Sequence, residues 1–197
     1  DNLGIQKIDG MLLDLGVSSY QLDNMERGFS YKGDAPLDMR MGGEGITAED
    51  VVNDYPVGEL IRILRDYAQE KFAPRIAQAI DRYRNKERIK TTAQLSEIVN
   101  NSLPAAARRD ANPSRRAFQA IRIEVNGEFE NIKNGLDAGF ERLAPGGRLV
   151  VLTFHSLEDR IVKEKFREYA QGCICPSDFP VCVCGRTPKG AIVTKKS

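Results

Sequence analysis

Polar side chains that could bind a ligand follow the first apolar segment of this 197-residue chain. Residues 8–15 are mostly aliphatic, which is typical of a short strand buried on both faces of a parallel sheet. An acid, a glycine and two serines mark its end: Asp14, Gly16, Ser18 and Ser19. Ligands of open α/β sheets bind beyond the carboxyl ends of the strands, so we expect one wall of an active site here. An ordinary strand followed by a turn is the alternative.

A second polar group follows another apolar segment much later in the chain. Residues 148–154 are typical of a buried strand, and His155, the only histidine, comes directly after them. Ser156 with Asp159 predicts the capped start of a helix over residues 157–169. If the two strands are neighbours, His155 lies beside the end of the first one. A structural hydrogen-bonding role for His155 is the alternative to a chemical one.

All four cysteines fall in one short segment, as the pairs Cys173/Cys175 and Cys182/Cys184. Thiols are zinc ligands, but zinc fingers usually space their paired cysteines as Cys-x-x-Cys. Disulfides are not expected in a cytosolic chain. The sequence therefore predicts reduced cysteines in a hairpin and no metal site, with zinc binding as the alternative. Residues 190–194 predict a final strand.

The composition is that of an ordinary globular protein, with 41% hydrophobic and 29% charged residues. The net charge of +1 does not indicate a nucleic-acid-binding protein, so any such function must come from local clusters of charge. No apolar segment approaches the ~20 residues of a membrane helix, and the first residues do not resemble a signal peptide. We therefore expect a cytoplasmic protein without membrane association.

The middle of the chain has helical periodicity. Between residues 47 and 103, apolar side chains recur at intervals of three and four, and Thr47 with Asp50 predicts a capped start. This predicts a small module of three or four short helices. Its other positions are rich in arginine and lysine, which suits contact with RNA, although the interspersed acids are equally typical of a solvated surface.

A long helix is predicted from Asn112-Pro113 to about Leu143, because its apolar stripe continues without a break. Such a stripe predicts packing on a large surface such as a sheet. Polar residues near the start of the helix form a candidate phosphate-binding edge for RNA, with surface ion pairs as the alternative. These residues are Arg115, Arg116, Gln119, Arg122 and Asn126.

Five segments together identify a family. They are Asp9–Asp23, Arg27–Tyr31, Pro36–Met41, Phe118–Asn126 and Thr153–Arg160. In this order they closely resemble the bacterial 16S ribosomal RNA cytosine-N4 methyltransferase family, and the resemblance covers essentially the whole chain.

The resemblance implies an α/β fold: a partial class I, Rossmann-like methyltransferase sheet with an inserted all-helical substrate-recognition domain. We expect residues 1–34 to be part of the methyltransferase domain, residues 35–112 to be the helical insert, and residues 113–197 to be the remainder of the methyltransferase domain. The glycine-rich turn that holds the cofactor in this family has no equivalent before Asp1. We therefore expect this chain alone to bind the cofactor weakly or not at all and to be inactive.

The implied activity is transfer of a methyl group from S-adenosylmethionine to the N4 amine of a cytosine in 16S ribosomal RNA. By the resemblance, Asp14 and Gln21 contact the cofactor. Related amino-methyltransferases use an Asp/Asn/Ser-Pro-Pro-aromatic loop after the fourth strand, and this chain lacks its prolines and its aromatic residue. The expected catalytic residues are instead Ser18 and Ser19, which face the amine, and His155 and Ser156, which line the pocket.

The implied partner is the small ribosomal subunit through its 16S rRNA, with Arg115, Arg116 and Arg122 as the RNA-binding residues. A homodimer is compatible with the sequence, which does not reveal the oligomeric state. A non-catalytic RNA-binding or ribosome-assembly module is the alternative function.

Overall fold

The computed structural model describes residues 4–105, 113–176 and 179–194. Within these ranges the chain is mainly helical, with two strands, β1 (Ile8–Asp14) and β2 (Leu143–Leu152). A short 3₁₀ helix, Met25–Arg27, follows the first helix. The α-helices are α1 (Ser19–Asp23), α2 (Ala48–Asp54), α3 (Val57–Ala68), α4 (Ala73–Arg84), α5 (Thr92–Ser102), α6 (Pro113–Asn126), α7 (Glu128–Arg142) and α8 (Ser156–Ala170).

The described residues divide into two compact units. One unit combines residues 1–16 with residues 129–197, and the other consists of residues 17–128. The second unit extends beyond the predicted helical insert, residues 35–112, at both ends. It does so because Phe29 before α2 and Phe118 on α6 belong to the same apolar core as helices α2 to α5. That this unit is an inserted domain stays a prediction.

The first unit contains a two-stranded parallel sheet. Asp14 pairs with Leu152 and Leu12 with Val150, which confirms the predicted neighbouring parallel strands. One face of the sheet packs against α7 and α8. On the other face Leu12 is 65% exposed and Leu152 is 47% exposed. The prediction of strands buried on both faces is therefore wrong for this chain, since its helices cover only one face.

The predicted single helix from Pro113 to Leu143 is two helices, α6 and α7. The break lies at Gly127, which has a φ of +56°, in the left-handed region that favours glycine. The apolar stripe continues across the break, which is why periodicity alone did not reveal it. The predicted N-cap, Asn112, lies outside the described residues.

The segment after α8 forms neither helix nor strand in its described part, residues 171–176 and 179–194. The predicted strand over residues 190–194 is wrong. The amides of Lys189 and Gly190 donate to the carbonyl of Tyr169, at 2.9 and 3.1 Å, instead of entering a ladder. Among the described residues, no helix has the length and apolar character needed to cross a membrane.

Candidate active site and RNA-binding residues

The carboxyl ends of β1 and β2 bring together two groups that are far apart in the chain. Asp14 ends β1 and pairs with Leu152, and His155 follows three residues after that partner. Both belong to the same compact unit. The Asp14 side chain is exposed and makes no hydrogen bond to another described residue, so its carboxylate is available to a ligand.

His155 is the N-cap of α8. Its Nδ1 accepts a hydrogen bond from the amide of Glu158 at 3.4 Å. Glu158 Oε2 accepts in return from the amides of Phe154, at 2.9 Å, and His155, at 3.3 Å. The predicted cap by Ser156 and Asp159 is therefore wrong by one residue. An imidazole nitrogen can accept the same amide hydrogen bond as a hydroxyl.

Glu158 places a buried carboxyl beside the backbone amides that follow β2. The carboxyl is only 1% exposed. Burial raises its pKa, but the nearby His155 side chain and the hydrogen bond from the Phe154 amide outweigh burial and leave the pKa below its usual value. His155 Nε2 lies 3.1 Å from Glu158 Oε1, but the two atoms are not aligned as a hydrogen bond, and neither has another partner among the described residues.

An apolar surface adjoins Asp14. Phe154 is 71% exposed, and the exposed Leu152 is the strand partner of Asp14. Gly16 has a φ of +89°, and a side chain added there would meet the Phe154 ring at 3.8 Å. Sequence analysis missed Phe154 and Glu158, although both lie in the segment Thr153–Arg160 that carried the resemblance. The Glu three residues after His155 was the signal for the cap.

The candidate Ser156 is exposed at the first position of α8, whereas Ser18, Ser19 and Gln21 lie in the other unit. Ser18 is the N-cap of α1, and its Oγ accepts from the amide of Gln21 at 3.3 Å. Gln21 Oε1 accepts in return from the amide of Ser18 at 3.0 Å. Both side chains are thus engaged in a capping box, whereas Ser19 is exposed at the first position of the helix.

Two of the three predicted RNA-binding arginines form ion pairs with acids of their own unit. Arg122 donates two hydrogen bonds to Glu128, from Nε to Oε1 at 2.7 Å and from Nη2 to Oε2 at 2.9 Å. Both side chains are largely buried. Arg116 Nε lies 2.6 Å from the buried carboxylate of Glu70. Arg115 is exposed and forms no ion pair with a described residue. Arg116 and Arg122 thus form the ion pairs named as the alternative, and RNA contact by the three arginines stays a prediction.

Three of the segments that carried the resemblance contact one another in the unit of residues 17–128, the helical unit. Asn126 Nδ2 donates to the carbonyl of Met39 at 2.8 Å, and its Oδ1 accepts from the amide of Met41 at 2.7 Å. Arg27 Nη2 donates to the carbonyls of Arg40, at 2.7 Å, and Met41, at 3.1 Å. These bonds hold Met39 at a φ of +62°. Asn126 is thus a structural residue that fixes a loop.

Comparison with known proteins identifies the family. A family model described as the MraW methylase family matches residues 1–197. A protein of Carboxydothermus hydrogenoformans named ribosomal RNA small subunit methyltransferase H is 54% identical over 195 residues, which is 98% of this chain and 63% of that protein. A protein of Heliobacterium modesticaldum with the same name is 56% identical over 192 residues, 96% of this chain and 61% of that protein.

The chain therefore spans less than two thirds of the length of these relatives. The resemblance found in the sequence to ribosomal RNA methyltransferases is confirmed, and the chain belongs to the MraW methylase family.

Proposed function

We propose that this chain is part of an S-adenosylmethionine-dependent enzyme that methylates the N4 amine of a cytosine in the 16S rRNA of the small ribosomal subunit. The observation that carries the proposal is the parallel pairing of Asp14 with Leu152, which sets an available carboxylate beside the His155 helix N-terminus. Ligands of α/β sheets bind at this edge. The names of the relatives support the substrate class.

The residues at the strand end fit the proposed cofactor. An exposed carboxylate can accept hydrogen bonds from the cofactor's hydroxyl or ammonium groups, and the adjoining Leu152 and Phe154 offer apolar contact. When bound, S-adenosylmethionine supplies a methyl group on a positively charged sulfur. Asp14 is the residue that would hold it. Gln21 can contribute only if its side chain leaves the capping box with Ser18.

Methyl transfer to cytosine requires an acceptor that directs the amine. The amine lone pair is delocalised into the ring, and a hydrogen-bond acceptor localises it and stabilises the developing positive charge. Ser19 is the candidate with an exposed hydroxyl, whereas Ser18 already serves as a cap. His155 acts as a positioning residue in this proposal, because its Nδ1 is engaged by the Glu158 amide. Ser156 presents an exposed hydroxyl at the start of α8.

The proposed function also implies a fold and a location. Residues 35–112 are the helical substrate-recognition insert of a class I, Rossmann-like methyltransferase fold. We expect the protein to work in the cytoplasm, and a homodimer is one compatible assembly. Arg115 contacts rRNA phosphate, since its guanidinium is exposed. Arg116 and Arg122 are the other two proposed RNA-binding residues, and each forms an ion pair with an acid of its own unit.

The test uses the protein extended to the full length of its relatives. Asp14→Asn should weaken S-adenosylmethionine binding by about tenfold to a hundredfold in calorimetry, the loss of one charged hydrogen bond, without changing affinity for a 16S rRNA segment. Asp9→Asn is the matched control, because Asp9 is an exposed acid on the same strand. Equal losses for cofactor and RNA, or no loss of cofactor affinity, would contradict the role of Asp14.

A second measurement separates the enzyme from a non-catalytic RNA-binding module. The full-length protein should transfer labelled methyl groups to small-subunit rRNA, and the present chain alone should not. If the full-length protein binds rRNA tightly but binds no cofactor, the assembly-module alternative holds instead. Micromolar cofactor binding by the present chain alone would contradict the expectation that it binds the cofactor weakly or not at all.

A further inference from the structure

The four cysteines lie in a loop that the proposed methyl transfer does not use. The loop follows α8, and its base is closed by the bonds from the amides of Lys189 and Gly190 to the Tyr169 carbonyl, at 2.9 and 3.1 Å. Arg186 Nη2 adds a bond to the carbonyl of Glu168 at 3.0 Å. The chain therefore leaves the helix and returns to the same point.

This loop lacks the usual sources of stability. Its described residues form neither helix nor strand, and none of them belongs to either apolar core. Its large apolar side chains are exposed, Val183 by 72%. Fixing such a backbone costs conformational entropy, so another constraint is needed to hold it in one conformation.

The cysteine sulfurs converge at one point of the loop. Cys173 Sγ lies 3.4 Å from that of Cys182 and 3.8 Å from that of Cys184, and the Cys182 and Cys184 sulfurs are 3.5 Å apart. With Cys175, all four sulfurs lie within 4.8 Å of one another. No two of them are bonded as a disulfide.

These separations match one metal ion rather than pairs of disulfides. Four thiolates at about 2.3 Å from a tetrahedral zinc ion stand about 3.8 Å apart, whereas a disulfide bond is about 2.05 Å long. Two backbone amides also point at the sulfurs, from Cys175 to Cys173 Sγ and from Val183 to Cys175 Sγ, both at 3.4 Å. Hydrogen bonds of this kind orient metal ligands.

We propose that Cys173, Cys175, Cys182 and Cys184 bind one zinc ion in a closed, structural tetrahedral site. On binding, each thiol releases its proton to solvent and forms one sulfur–zinc bond, and no electron is transferred. The unusual Cys-x-Cys spacing is accommodated because both pairs sit in irregular backbone rather than on a zinc-finger turn. The site replaces the missing apolar core as the constraint that orders the loop.

The test measures metal in the full chain, purified under reducing conditions and dialysed against metal-free buffer. Elemental analysis should find about one zinc per chain, the content of one four-cysteine site. The double variant Cys182→Ser/Cys184→Ser should retain almost none. Val181→Ser is the matched control, since it changes an exposed residue of the same loop and should retain zinc like the unchanged chain.

Two further readouts keep the result unambiguous. Cobalt(II) added to the metal-free chain should give the intense visible bands of a tetrahedral tetrathiolate site, and the double variant should lose them. Far-UV circular dichroism of the variant should stay unchanged, because the loop belongs to neither core. Iron instead of zinc, two disulfides in place of four thiols, or equal zinc content in the chain and its double variant would each overturn the proposal.

Discussion

The two compact units of this chain differ in the size of their apolar cores. The unit of residues 17–128 surrounds a large apolar core in which side chains such as Ile63 and Leu95 are fully buried. The unit of residues 1–16 and 129–197 has a small core around Leu136, and one face of its sheet remains exposed. Ion pairs occur in both units, such as Asp137 with Lys165 here and Arg122 with Glu128 in the other unit.

The candidate residues of the two units also differ in how far the fold itself uses their polar groups. In the helical unit, several of the candidate residues are engaged in structure, such as Arg122 with Glu128 and Asn126 with the Met39 loop. In the sheet unit, residues 1–16 and 129–197, the Asp14 carboxylate forms no hydrogen bond or ion pair with another described residue. The four thiols there lie beside one another and accept bonds only from nearby backbone amides. Polar groups that the fold does not use are the better candidates for binding a ligand.

A buried and an exposed apolar side chain should differ most in their contribution to stability. Ile63→Ala removes a fully buried side chain of α3 and should lower the free energy of unfolding by about 2–5 kcal/mol. Leu12→Ala, on the open face of the sheet, should change it by less than about 0.5 kcal/mol. Urea unfolding followed by circular dichroism measures both variants. A comparable cost for Leu12→Ala would mean that the sheet face is buried in solution, for example between two copies of the chain.

A smaller loss is expected from Asn126→Ala in the helical unit. The change leaves the Met41 amide and the Met39 carbonyl without their side-chain partner, which should cost about 1–3 kcal/mol. Gln119→Ala, on the same helix, is the control and should be nearly neutral. Hydrogen exchange should also show faster exchange of the Met41 amide. An unchanged exchange rate would show that another group holds this loop.

Sequence periodicity predicted the helices and the parallel strand pair, because these depend on local apolar patterns and on a topology common to buried strands. It missed the break at Gly127, since the apolar spacing continues across it. It misplaced the helix cap, since His155 is not among the usual N-cap residues. The convergence of the cysteines depends on how the loop closes at Tyr169, and no periodic pattern encodes that closure.

The cap of α8 tests how the sheet unit fixes its strand end. Glu158→Ala removes the acceptor of two amide bonds and should lower the free energy of unfolding by about 0.5–2 kcal/mol. Ser156→Ala and Asp159→Ala should have little effect, because neither residue caps the helix. Thermal unfolding of the three variants decides between the observed cap and the one predicted from sequence. A larger loss for Ser156→Ala would restore the predicted cap.

A small pH dependence of stability is expected from Asp137 in the sheet unit. Hydrogen bonds from Lys165 and then Tyr169 hold the pKa of Asp137 below its usual value. A carboxyl whose pKa is lowered by folding stabilises the fold fully above its unfolded pKa of about 3.9, and this contribution is lost as the pH falls through the lower folded value. Asp137→Asn should therefore reduce stability at neutral pH slightly, since the pair is partly exposed. The unchanged chain and the variant should converge in stability as the pH falls below about 4, and parallel curves over that range would show that Asp137 contributes no proton-linked stability.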